Sequence, residues 1–88
     1  MSTKPPSTVK EFSPESIEKI AYSSVSAIPT QEPNDRNRLA YHVWRWLTTK
    51  EGTLEEAVRE SGARLHVKEQ DALNTIREGL RKQGVAVS

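Results

Sequence analysis

The 88 residues contain no cysteine, one phenylalanine, four isolated glycines and no long apolar run. Without thiols there is neither a disulfide framework nor a thiolate metal site, which leaves His42 and His66 as the only soft ligands. They lie far apart, with no acid at a recognisable ligand spacing, so no metal centre is expected. The scattered glycines form no phosphate cradle, and no G-x-S-x-G elbow is present. The expectation is therefore a non-enzyme with no catalytic residue, no cofactor and no small-molecule substrate. No stretch approaches the roughly 20 apolar residues that cross a bilayer. The start, MSTKPPSTVKEF, offers no hydrophobic core for a secretory signal, so a cytoplasmic location without membrane contact is expected. An excess of one charge is missing too: 13 Lys and Arg face 12 Asp and Glu, a net of +1, and the molecule as a whole does not advertise a phosphate-binding surface.

What is present points to a small folded unit. Hydrophobic residues make up 34%, with two Trp and two Tyr, which is too apolar for a fully disordered chain. Residues 1–11 are rich in Pro, Ser and Thr with Val9 as their one aliphatic side chain, and read as a flexible tail. Residues 12–88 are expected to form a single helical domain, near the lower size at which a core sustains itself.

Local signals place four helices in that domain. Ser13 as N-cap, Pro14 at the first helical position and Glu15 in the first turn predict a helix over 12–28, with Ile17, Ile20, Ala21, Ser24 and Ile28 on one face. Pro29 ends it. After the connector PTQEPND, with Asn34 or Asp35 as N-cap, a second helix is expected over 35–50. Its stripe is Leu39, Ala40, Val43, Trp46 and Leu47, with Trp46 as the core keystone and Gly52 as the left-handed terminator. Trp44 lies at the stripe's edge, suited to covering a helix seam or to stacking on a ligand. Thr53 and Glu56 make a reciprocal capping box for a short third helix over 53–61, which Gly62 closes. The fourth helix, 68–83, carries Ala72, Leu73, Ile76, Leu80 and Gln83 along one side, with Arg81 and Lys82 in its last turn and Gly84 past its end. Leu65 and Val67 alternate with polar neighbours, as does the end of the chain, so 65–67 and 85–87 suit a short two-stranded ribbon.

Residues 36–88, through TLEEAVRESG and LNTIREGLRKQGVAV, resemble a winged helix-turn-helix domain. The connection from Gly62 to Lys68 is longer than the tightest turn of that family, and the wing is expected to be truncated or absent, because the sequence reaches Ser88 before a second wing strand. The resemblance implies that the fourth helix is the recognition helix and that its outward residues meet double-stranded DNA. Gln70, Asn74 and Thr75 would then face base edges, while Arg64, Lys68, Arg77, Arg81 and Lys82 would hold phosphates. Asp71 and Glu78 share this face and oppose a duplex, which leaves a solvated face with a Glu78–Lys82 pair as the plain alternative.

Two functions fit these residues. One is a small DNA-binding regulator or accessory factor acting as a dimer. The other is an adaptor or inhibitor that contacts a protein partner through exposed aromatic side chains, Tyr41 and Trp44 together with Tyr22, and binds no nucleic acid. In either case the first helix packs on its own chain or is exchanged with a second copy.

Overall fold

The computed structural model describes residues 12–86, and the expected tail and Val87 lie outside them. Four helices occur among the described residues: α1 (Pro14–Val25), α2 (Pro33–Thr49), α3 (Leu54–Ser61) and α4 (Glu69–Lys82). The fold is mainly helical, as the periodicity indicates, and several boundaries fall elsewhere than expected.

The start of α1 follows its local signals. Ser13 is extended, its hydroxyl accepts from the Ser16 N–H at 3.2 Å, and Pro14 takes the first helical position. The helix stops at Val25 rather than at residue 28, in a serine-rich turn where side chains compete for backbone acceptors. Ser24 donates to the Ala21 carbonyl and Ser26 to the Ser23 carbonyl. Ile28 is buried beyond the helix, and its carbonyl receives Arg36 Nε at 3.3 Å and Nη2 at 3.0 Å. This clamp turns the chain into α2.

Neither Asn34 nor Asp35 caps α2. Glu32 is the N-cap, Pro33 opens the helix, and Asp35 at the third position reaches back to accept the Glu32 N–H at 3.2 Å. At the other end Lys50, not Gly52, is the left-handed terminator, with φ 56° and its N–H on the Trp46 carbonyl at 2.8 Å. Gly52 (φ 72°) completes the turn into α3. There Thr53 Oγ1 accepts the Glu56 N–H at 3.1 Å, but the reciprocal bond from Glu56 does not form; the Glu56 carboxylate lies against Gly52 instead.

The end of α4 is a complete Schellman turn: Gly84 is left-handed, its N–H reaches the Arg81 carbonyl, and Val85 N–H reaches the Leu80 carbonyl at 3.0 Å. That bond uses the Val85 donor and buries its side chain. Leu65 forms an antiparallel bridge with Thr30, flanked by Gln31 N–H to the Arg64 carbonyl and His66 N–H to the Pro29 carbonyl, each at 3.0 Å. The partner seen for Leu65 is thus the connector between α1 and α2, and the ribbon expected with 85–87 lies partly outside the described residues at Val87.

The core unites all four helices. Ile17, Ile20, Ala21 and Val25 of α1 meet Leu39, Ala40, Val43 and Leu47 of α2, Leu54 and Val58 of α3, and Ala72, Leu73, Ile76 and Leu80 of α4. Each fully buried aliphatic side chain stabilises the fold by about 1.5–3 kcal/mol before entropy is counted. Helix α1 packs on α2 and α4 of its own chain, while α3 closes the other side against the same two helices. The interior is therefore centred between α1, α2 and α4 rather than on Trp46. That indole is only half-buried: its N–H donates to the Gly52 carbonyl at 3.3 Å, and Lys50 Nζ stands 4.6 Å above the ring. Leu39, Val43 and Leu47, spaced by four, take the centre of the α2 stripe and turn Trp46 to its margin.

At one point α1 and α4 nearly touch. A Cβ on Gly79 would lie 3.0 Å from Ser24 Cα, and Gln83 Nε2 bridges the helices by donating to the carbonyls of Ile20 and Gly79. No buried side-chain polar atom among the described residues lacks a partner.

Candidate interaction surfaces

The eight residues expected at a DNA interface occupy α4 and the segment before it, but they do not make one basic surface. Arg64 Nη2 lies 3.3 Å from Asp35 Oδ2 and 3.4 Å from Glu32 Oε2, and Arg77 Nη2 lies 3.6 Å from Glu55 Oε1. Both guanidinium groups are matched by carboxylates of their own chain. Lys68, Arg81 and Lys82 are exposed and make no ion pair among the described residues, but Lys68 precedes the first turn of α4 and the other two occupy its last. A helix of this length puts them roughly 20 Å apart. Asp71 and Glu78 are exposed between them.

The polar side chains of that face are also engaged. Gln70 Nε2 donates to Asn74 Oδ1 at 3.3 Å, and Thr75 Oγ1 donates to the Asp71 carbonyl at 2.9 Å. The Glu78–Lys82 pair does not form among the described residues; α4 is instead tied to α3 by Arg59 and Glu69 at 2.9 Å. Asn74, Arg77, Glu78 and Arg81 line an open, shallow depression.

A different surface lies between α1 and α2. Glu18, Tyr22, Asn37, Ala40, Tyr41 and Trp44 line a groove of about 360 Å³ whose walls are mostly apolar. Tyr22 is 45% exposed and Tyr41 55%, the two large hydrophobic side chains most open to solvent among the described residues. Trp44 is half-buried and packs one side against the core, as a seam cover would. The Tyr41 and Trp44 rings are 5.8 Å apart and tilted by 34°, and His42 meets Tyr41 edge-on at 5.4 Å. Tyr22 is held by its hydroxyl, which donates to Asn37 Oδ1 at 2.9 Å. Asn37, Ala40, Tyr41 and Trp44 share one side of α2 at helical spacing; Glu18 and Tyr22 join them because α1 packs alongside.

Asp35 locks the start of α2. The side chain is fully buried and binds Arg38, Arg64 and the Glu32 N–H. Burial alone would raise its pKa; the hydrogen bond and charge of Arg64, aided by backbone bonding, outweigh that and hold the carboxyl below the ordinary value of 3.8. Sequence inspection gave Asp35 only a capping role, because Arg64, its distant partner, is brought in by the Thr30–Leu65 pairing. Lys50 shifts for one reason: partial burial pushes its ammonium below the usual lysine value.

A second, more polar pocket opens between the end of α2 and α3, lined by Arg45, Trp46, Glu56 and Glu60 among others. No group of three or more His, Cys, Asp or Glu side chains among the described residues is placed to hold a metal ion. No helix among them is long and apolar enough to cross a membrane. Protein-family models, curated proteins and solved structures give no match to this chain.

Proposed function

We propose that this chain is a non-enzymatic protein-interaction module, an adaptor or inhibitor whose contact surface is the aromatic groove between α1 and α2. The observation that carries this reading is the grouping of Tyr22, Tyr41 and Trp44 on one face, with both tyrosines about half open to solvent. Aromatic side chains deliver large contact area at low entropic cost and dominate the energetics of protein interfaces. A photo-crosslinking residue at Tyr41 tests it: a discrete protein adduct is expected, weakened by Tyr22→Ala and absent when the crosslinker replaces exposed Glu60 on α3. Identical adducts from both positions, or none from either, would overturn the reading.

A second reading, a dimeric DNA-binding regulator of winged-helix type, draws support from Lys68, Gln70, Asn74, Arg81 and Lys82 standing exposed along α4. It is the weaker of the two because Arg64 and Arg77 already face carboxylates and the remaining cations sit at opposite ends of the helix.

A further inference from the structure

We infer that the groove between α1 and α2 receives an extended, proline-rich segment of another protein that carries a basic side chain. This rests on the interaction reading above and adds the chemistry of the partner. Tyr41 and Trp44 present two flat faces tilted by 34°, with Tyr22 opposite on α1 and the small Ala40 between. Aromatic-lined grooves of this kind accept prolyl rings of a polyproline II segment, which enters with little entropy left to lose. Such a segment has no internal hydrogen bonds, so its carbonyls need donors from the receptor. The Trp44 indole N–H and the Asn37 amide N–H groups donate to nothing among the described residues, and both residues line the groove. The Asn37 amide is oriented for this by Tyr22, whose hydroxyl occupies the Asn37 oxygen.

Charge selects the basic residue. Glu18 is the one charged side chain lining the groove, and Glu15 extends the acidic edge along α1 beside Lys19. Neither acid is in an ion pair among the described residues, whereas Arg38 at the far end is bound to Asp35. An amphipathic helix fits less well. Its anchors at positions i, i+4 and i+7 need a deep apolar channel. Here the lining contains no aliphatic side chain larger than Ala40, and its aromatic residues bring polar tips to the surface.

The test is a titration of the ¹⁵N-labelled full chain with a short synthetic peptide made of one arginine followed by repeated proline-leucine-proline units. The two indole N–H resonances separate the surfaces: that of Trp44 is expected to move and saturate, that of Trp46, bound to the Gly52 carbonyl, to stay. Tyr41→Ala, or alanine in place of the peptide's prolines, is expected to weaken binding about tenfold or more. Glu18→Lys is expected to weaken the arginine peptide and to leave its arginine-free version unchanged. A Trp44 resonance that does not move, or an affinity indifferent to the prolines or to Tyr41→Ala, overturns the inference. If an amphipathic helical peptide moves Trp44 where the proline-rich one does not, the occupant is wrong and the interaction reading stands. Loss of the Tyr41-specific crosslink removes both.

Discussion

Removing the charge of Asp35 would leave Arg38 and Arg64 converging on a buried neutral amide, with no carboxylate to offset either cation. Asp35→Asn is therefore expected to destabilise the fold at neutral pH, read as a lower urea midpoint. The pH dependence has a defined sign. The folded carboxyl is more acidic than the ordinary 3.8, so its stabilisation is complete above that value and is lost as pH falls through the folded pKa. The gap between wild type and Asp35→Asn should be constant above roughly pH 5 and narrow on further acidification. A gap that stays constant would contradict the role given to the ion pairs. The tryptophans supply a second comparison. Trp46 is half-buried at the edge of α2, whereas Leu47 is 1% exposed. Leu47→Ala should cost about 2–5 kcal/mol, and Trp46→Ala about 1 kcal/mol. Reversed costs, measured by chemical denaturation, would put the core back around Trp46. The stripe of α2 was legible in the sequence, but which of its members becomes central depends on the rotation of the helix against α1 and α4, which no periodicity reports.

Among the elements, α1 and α4 approach closely where Gly79 faces Ser24. Alanine normally favours a helix interior over glycine by about 1 kcal/mol. At Gly79 the added methyl would meet the Ser24 backbone at 3.0 Å, a contact that no side-chain rotation relieves. Gly79→Ala is expected to lose about 1–3 kcal/mol by overpacking despite its better propensity, and Gly79→Leu more. Thermal unfolding that shows Gly79→Ala to be stabilised would mean the helices can separate freely. The helix starts are the part of the fold that local sequence describes best. Ser13-Pro14 and Thr53 act within one turn of themselves, and their caps form where expected. The ends are less legible. Lys50 adopts a left-handed conformation next to a glycine that serves such positions more cheaply, because its N–H can still close on Trp46 while its ammonium rests over that ring.

For the whole molecule, the decisive quantity is where the charges lie rather than their sum. The net of +1 leaves little long-range attraction for a polyanion, and two of the five cations expected to hold phosphates are paired within the chain. Under the interaction reading, a titration with random duplex DNA at low salt should show no saturable binding. Tight binding that weakens steeply as salt rises would favour the DNA reading instead. The same comparison shows why the two surfaces differed in legibility. Candidate contacts on α4 follow from helical spacing, since a single helix presents them. The aromatic groove needs two helices at once: Asn37, Ala40, Tyr41 and Trp44 lie on α2, while Glu18 and Tyr22 come from α1, and no spacing within one helix announces that pairing.

Residues within one turn of each other determined the helix count, the caps of α1 and α3, and the buried faces of all four helices, because hydrogen bonding and hydrophobic spacing at that range need no partner. Tertiary structure decided which strand-like segment meets Leu65, which arginine reaches Asp35, how far Trp46 is buried and what stands opposite Trp44. Those outcomes turn on contacts between segments distant along the chain, selected by whole-core packing and by the need to satisfy each buried polar group.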